Sequence, residues 1–258
     1  MPVECVGPGP QYANSVIATL DEYRGLFEKA KPHQLCGDIS PDYLYYHRNA
    51  VPKILKEKNE QVPIIIVLRN PIDPAYSSYL YHIRDGRENL SFEDALDAEE
   101  ERRAANWAWG WFYVEGGLYA EQVKAYTDNF EQVLILLFEE DVVTDKATSK
   151  VLNFLNLEPF PQGPDNIHVN ISGYPQNHWL HRLMTDELVV RKVKNVVKAT
   201  PLYSLSKRLY QKLMEANLKK VEMASQTRQM LKEKFQDDVA LPAEYTGLPV
   251  HKYWKDFQ

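Results

Sequence analysis

The chain has 258 residues, of which 44% are hydrophobic and 26% charged, and its formal net charge is −6. This composition is ordinary for a soluble protein with one substantial hydrophobic core. No apolar run approaches the roughly 20 residues of a membrane helix. We therefore expect no transmembrane segment. Two cysteines are too few for a disulfide framework, so we expect a cytoplasmic location.

Hydrophobic periodicity and turn residues predict alternating helices and strands. In chain order these are a helix at 17–29, a strand at 34–37, a helix at 45–58, a strand at 62–69, helices at 71–84, 91–107 and 112–130, a strand at 132–139, a helix at 144–155, a loop at 159–173 and further helices. Strands separated by helices indicate an α/β fold, with a parallel sheet flanked by helices and a helical C-terminal part. No Ser/Gly linker divides the chain, so we predict a single domain over residues 1–258.

The segment from Val62 to Tyr79 predicts an anion site. Its aliphatic run is typical of a strand covered on both faces. Asn70 and Pro71 are suited to the start of a helix, so free backbone amides and the helix dipole should meet Arg69 at the end of the strand. Ser77 lies two turns along the same helix face, and a guanidinium with a hydroxyl suits a phosphate.

The same residues also allow a plainer interpretation, in which Arg69 pairs with a nearby carboxylate. Asp73 falls on the same helix face and argues against a phosphate there. Ser78 could replace Ser77 if the helix is rotated.

The motif Arg-Asn-Pro-x-Asp-x-Ala-x-Ser-x-Tyr from Arg69 to Tyr79 resembles the 3′-phosphate-binding element of sulfotransferases that use 3′-phosphoadenylyl sulfate (PAPS). The likeness covers most of the chain and is greatest to the bacterial and glycan-directed branch. Two further segments resemble that branch: GDISPDYL at 37–44 and EGGLYAEQ at 115–122. Others resemble the family in the same order: LILLFEED at 134–141, VLNFLNL at 151–157, and the tail with Leu231, Phe235, Asp238, Leu241, Gly247 and Trp254.

The resemblance implies a P-loop-type three-layer fold and transfer of a sulfuryl group from PAPS to an acceptor hydroxyl or amine, leaving adenosine 3′,5′-bisphosphate. It assigns Arg69 and Ser77 to the 3′-phosphate. Relatives carry a carboxylate at the position of Asp38, which is therefore the candidate catalytic base or a supporting carboxylate of the site; a surface or capping aspartate is the alternative. A glycan, lipid or small metabolite would be the acceptor.

The family's 5′-phosphosulfate loop has no counterpart in this sequence. The nearest candidate, Gly7–Pro10, fails because Pro8 and Pro10 lack the N–H groups that a phosphate cradle needs. We infer that the chain begins after the loop, through truncation or real loss, and favour truncation. Real loss would leave a non-catalytic module that binds a nucleotide bisphosphate, which is the alternative function. A kinase-like phosphotransferase is disfavoured because no Walker-type lysine loop is present.

Charge is unevenly distributed, since residues 175–222 hold ten Lys or Arg against four Asp or Glu. This stretch is either a solvated helix face or an attractor for an acidic acceptor or anionic lipid. No aromatic residues interleave with it in a recognisable module, so we expect no nucleic-acid partner. No Cys or His pair has ligand spacing, so we also expect no metal.

Overall fold

The structure, a computed structural model, describes residue 17 and residues 19–159, 173–198, 203–219 and 221–258. The predictions for Gly7–Pro10 and for most of the loop at 159–173 lie outside these residues. The α-helices are α1 (Leu20–Gly25), α2 (Asp42–Tyr45), α3 (His47–Lys58), α4 (Ile72–Arg84), α5 (Phe92–Asp97), α6 (Glu99–Ala104), α7 (Tyr119–Thr127), α8 (Ala147–Phe154), α9 (His178–Thr185), α10 (Glu187–Lys198), α11 (Tyr203–Asn217), α12 (Ser225–Thr246) and α13 (Val250–Tyr253). The strands are β1 (Ile64–Leu68), β2 (Val133–Leu137), β3 (Tyr174–Pro175) and β4 (Leu218–Lys219).

A small parallel sheet forms the centre of this α/β arrangement. β1 and β2 pair in parallel, from Ile64 opposite Val133 to Leu68 opposite Leu137. Both are five-residue aliphatic runs, which favour a buried sheet over a helix. A second, antiparallel ladder joins β3 to β4.

β1 is covered on one face by the described part of the chain. Ile66 and Leu68 are buried, whereas Ile65 and Val67 are 38% and 50% exposed. The prediction of cover on both faces is therefore wrong for these residues, although the strand itself is where we predicted it. The run of apolar residues could not distinguish the two cases, because both sides of the strand carry branched side chains.

Helix α4 begins one residue later than predicted, at Ile72. The side-chain Oδ1 of Asn70 still accepts from the Ile72 amide at 3.2 Å, so Asn70 acts on the helix start from just outside it. Ile72, Ala75 and Tyr79 form the buried face, at positions three and four apart.

The long helix predicted at 112–130 is divided. Trp109–Trp111 and Glu115–Gly117 are 3₁₀ turns, and α7 begins only at Tyr119. The paired glycines Gly116 and Gly117 interrupt the helix because glycine weakens a helix interior. The helix predicted at 91–107 is likewise divided at Ala98, and Ser91 caps its start, because Ser91 Oγ accepts from the Asp94 amide at 3.1 Å.

Two further predictions of local structure are wrong. Residues 34–37 form no strand. The helix predicted at 144–155 begins only at Ala147 (α8), and Thr144 at its predicted start does not cap it; the Thr144 hydroxyl donates to the Glu140 carbonyl instead. A π-helical turn at Phe138–Val142 occupies the connection and is closed by Asp141 Oδ2, which accepts from the Leu137 amide at 2.8 Å.

The hydrophobic core lies beside the sheet and joins distant parts of the chain. Its fully buried large side chains include Leu68, Tyr79, Trp111, Phe235 and Trp254. Because Phe235 belongs to α12 and Trp254 follows α13, the C-terminal segment is packed into the same core that holds β1 and α4. This packing brings the C-terminal residues to the end of β1.

Candidate functional site

Arg69 lies where the two parallel strands end. Leu68 and Leu137 are register partners, so the next residues, Arg69 and Phe138, are neighbours. The Cζ atom of Arg69 lies 4.8 Å from the centroid of the Phe138 ring, within range of a cation–π interaction. Carboxyl ends of parallel strands are common ligand sites in open α/β sheets.

The guanidinium of Arg69 is loosely paired. Its side chain is 40% exposed, and Nη2 lies 3.8 Å from Asp73 Oδ2, too far for a hydrogen bond. Its Nε is buried and has no hydrogen-bond partner among the described residues. The ion pair that the sequence left open is thus present, but it leaves donors of Arg69 uncommitted.

Backbone amides at the start of α4 are less available than predicted. The Asn70 amide donates to Glu139 Oε1 at 3.0 Å, and the Ile72 amide donates to the Asn70 side chain. The Asp73 amide donates to the Asn70 carbonyl at 3.2 Å. The backbone amides at this end of the helix are therefore occupied within the protein, whereas Arg69 keeps donors without a close partner among the described residues.

The two candidate serines of α4 differ in their surroundings. Ser78 donates from Oγ to the Gly110 carbonyl at 3.0 Å, which commits it to the protein interior. Ser77 is exposed. The helix rotation therefore favours Ser77 as the hydroxyl that an external phosphate could reach.

A second arginine, Arg228 of α12, completes the charged cluster. Its Nη1 and Nη2 each donate to Asp73 Oδ1 at 3.2 Å. Its Nε and Nη2 donate to the two carboxylate oxygens of Asp256 at 2.7 and 2.6 Å, and this bidentate bond raises the pKa of Arg228. Burial raises the pKa of Asp256, but the hydrogen bonds from Arg228 and Asn70 outweigh burial and hold it below its usual value.

The C-terminal residues are linked to both strand ends. Glu139 follows β2 by two residues and accepts from the Trp254 indole Nε1 at 3.0 Å as well as from the Asn70 amide. Asp256 also accepts from Asn70 Nδ2 at 2.6 Å. The site is therefore built from β1, β2, α4, α12 and the chain's last residues.

Asp38 lies in a separate group of contacts. Its Oδ2 accepts from the Tyr23 hydroxyl at 3.0 Å and from the Tyr43 hydroxyl at 2.6 Å. Burial and then the hydrogen bond to Asp38 raise the pKa of Tyr23 to about 12, and the same two causes raise the pKa of Tyr43. Both phenols therefore stay protonated at neutral pH and orient an exposed carboxylate.

Sequence reasoning missed Arg228 and Asp256 as members of the site. Arg228 is 155 positions from its partner Asp73, and one arginine in a long helix carries no local signal. Glu139 and Trp254 were noticed only through family resemblance.

A cavity of about 350 Å³ opens beside α4 and is lined by Tyr76, the residue before Ser77. Tyr76, Phe92, Tyr174 and Met223 supply apolar walls and Glu93 a carboxylate. Its size is that of a small-molecule pocket, and its walls carry aromatic rings and two carboxylates, those of Glu93 and Glu222.

Within the described ranges, no group of three or more His, Cys, Asp or Glu side chains could hold a metal ion. The described helices include none that is both long enough and apolar enough to cross a bilayer.

Comparison with solved structures finds a sulfotransferase from Alicyclobacillus acidocaldarius, with 28% sequence identity and a TM-score of 0.67. The match covers 94% of this chain and 78% of that one. No family model matches the sequence, and comparison with curated proteins finds no significant match. The structural match supports the sulfotransferase resemblance and the α/β fold, and it spans nearly all of the chain.

Proposed function

We propose that this protein is a sulfotransferase that takes a sulfuryl group from PAPS and passes it to an acceptor hydroxyl or amine. The observation that carries the proposal is the likeness, over 94% of the chain, to a bacterial sulfotransferase. The proposed architecture is a single domain over residues 1–258 with a P-loop-type three-layer fold. The acceptor would be a glycan, a lipid or a small metabolite.

Arg69 and Ser77 are the proposed ligands of the donor's 3′-phosphate. A half-exposed guanidinium with uncommitted donors and an exposed hydroxyl on the following helix support this assignment. A planar guanidinium can donate two parallel bonds to phosphate oxygens, which gives both affinity and orientation.

The reaction we propose needs positioning and charge neutralisation more than covalent catalysis. PAPS supplies the sulfuryl group and a good leaving group: the acceptor's oxygen or nitrogen bonds to sulfur while the bond from sulfur to the 5′-phosphate oxygen breaks, releasing adenosine 3′,5′-bisphosphate. Asp38 would take the acceptor's proton, and the phenols of Tyr23 and Tyr43 would hold the carboxylate in place.

Thermal unfolding with and without adenosine 3′,5′-bisphosphate tests the proposal. The bisphosphate should raise the Tm of the wild-type protein in a concentration-dependent way, because a ligand that binds only the folded state stabilises it. Arg69→Ala should remove most of that shift, since the phosphate loses its charged donor.

The matched control is Arg48→Ala, which removes an exposed arginine paired with Glu121 at 2.7 Å on another part of the surface. This variant should keep the full shift. An equal shift in Arg69→Ala and wild type would refute the phosphate assignment, and no shift in wild type would refute bisphosphate binding altogether.

A further inference from the structure

Asp73 is positioned to compete with a phosphate for Arg69. It follows Arg69 by four residues, and the two side chains form a loose ion pair across the start of α4. A closed ion pair would occupy the guanidinium that the proposed function assigns to the 3′-phosphate. The observed distance of 3.8 Å shows that the pair is not closed by a hydrogen bond.

Arg228 is the group that holds Asp73. Two of its nitrogens donate to Asp73 Oδ1 at 3.2 Å, closer than Arg69 approaches the same carboxylate. Arg228 has enough donors for two carboxylates, because a guanidinium carries five N–H groups. It uses the others for the bidentate bond to Asp256.

Asp256 in turn holds Arg228 in place. Its carboxylate also accepts from Asn70 Nδ2 at 2.6 Å, so the chain's last residues hold Arg228 against the residue that follows Arg69. Buried neighbours in α12, Leu231 and Phe235, fix the helix from which Arg228 projects. The orientation of Arg228 is thus set by the protein before any ligand arrives.

From this arrangement we propose that Arg228 is a positioning residue for anion binding: it balances the charge of Asp73 and keeps Arg69 open to a phosphate. The inference rests on the proposed function. Without Arg228, Asp73 has Arg69 as its remaining partner, the ion pair closes, and a phosphate must first break it.

A double-mutant cycle on adenosine 3′,5′-bisphosphate binding, measured by isothermal titration calorimetry, tests the inference. Arg228→Gln should weaken binding about tenfold, the size expected for two groups in one network. Adding Asp73→Asn to that variant should restore affinity to within about threefold of wild type, because the competing charge is gone. Asp73→Asn alone should bind at least as tightly as wild type.

Rescue separates positioning from a merely structural role, because Asp73→Asn removes the competing charge but does not restore the hydrogen bonds to Asp256 that Arg228→Gln loses. Lys234→Gln, an exposed charge on the same helix, is the matched control and should bind like wild type. Unaltered binding in Arg228→Gln, or a loss that Asp73→Asn does not repair, overturns the inference while leaving the proposed function standing. A wild-type protein that fails to bind the bisphosphate overturns both.

Discussion

Arg69 and Asp38 carry the two chemical tasks that we propose, and their surroundings differ accordingly. Arg69 is surrounded by charges and a ring, with Asp73 nearby and Phe138 against its guanidinium. Asp38 instead accepts hydrogen bonds from two phenols, those of Tyr23 and Tyr43. A substitution of Arg69 should therefore change nucleotide affinity, and a substitution of Asp38 should change the rate of proton transfer.

Asp38→Asn should lower kcat by at least about 100-fold, because an amide cannot take the acceptor's proton. Affinity for adenosine 3′,5′-bisphosphate should stay close to that of wild type. Steady-state kinetics with radiolabelled donor would measure the first quantity and calorimetry the second. Asp38→Glu is the control that keeps a carboxylate and should retain most of the activity. Unchanged turnover in Asp38→Asn would exclude this residue as the base.

Among single residues, Arg69 could be predicted at the end of a strand, because an aliphatic run precedes it and the helix-start pair Asn-Pro follows it. The sequence could not predict Arg228, whose role depends on how α12 packs against α4. The sequence also overestimated how many backbone amides at the start of α4 are free to bind an anion, because two of them donate to Glu139 and to the Asn70 side chain.

At the scale of elements, Gly117 marks where three of them meet. A Cβ atom on this residue would lie 2.9 Å from Cε1 of Phe235 on α12 and 2.9 Å from Cβ of Pro71 at the start of α4. Distances this short cannot be accommodated without a shift. The absence of a side chain is therefore what lets α12 and the start of α4 approach the turn before α7.

Gly117→Ala should destabilise the protein by about 1–3 kcal/mol, the usual cost of overpacking a well-packed core. Urea unfolding would measure the difference. The adjacent Gly116→Ala is the matched control, because its Cβ would meet only the Trp109 ring at 3.8 and 3.9 Å, an ordinary contact. Equal stabilities of the two variants would contradict this account of the junction.

Elements were predictable where the local signal was strong. β1, β2 and α4 are close to their predicted positions, because aliphatic runs and a helix-start motif mark them. The prediction failed at 112–130, where aromatic and apolar residues continued a helical pattern through Gly116 and Gly117. Packing of Gly117 against Phe235, a residue more than a hundred positions away, is invisible in the local sequence.

For the whole molecule, Glu99 should contribute a pH dependence to stability. Burial raises its pKa to about 7 from an ordinary value of 4.5, even though its oxygens accept from the Val114 and Glu115 amides at 2.6 and 3.4 Å. The folded protein therefore keeps this proton at pH values where the unfolded chain has lost it. The contribution is fully present below about 4.5 and is lost as the pH rises through about 7.

Glu99→Gln should remove this component, so the difference in unfolding free energy between wild type and variant should change between pH 4.5 and pH 7. Urea unfolding at a series of pH values would measure it. The exposed neighbour Glu100→Gln is the matched control and should follow the wild-type profile at a constant offset. A constant difference between wild type and Glu99→Gln would contradict the raised pKa.

The α/β class and the parallel pairing could be predicted for the whole molecule, because alternating strands and helices permit few arrangements. The exposure of Ile65 and Val67 could not be predicted, since composition does not say how much of the surrounding chain covers a strand. The hydrogen bonds of Glu139 to Asn70 and Trp254, which link both strand ends to the C-terminal segment, could not be predicted either, because they depend on tertiary packing.

The parallel pairing of β1 with β2 also bears on how the polypeptide is made. Asn70 and Glu139, which are hydrogen-bonded just beyond the ends of β1 and β2, are 69 positions apart. The ribosome must therefore synthesise the whole connection between the strands before β1 can pair with β2. Contacts of such long range form slowly, and an unpaired aliphatic strand invites aggregation in the meantime. Nascent chains of this protein should therefore need chaperone protection from the emergence of β1 (IIIVL) until that of β2 (VLILL).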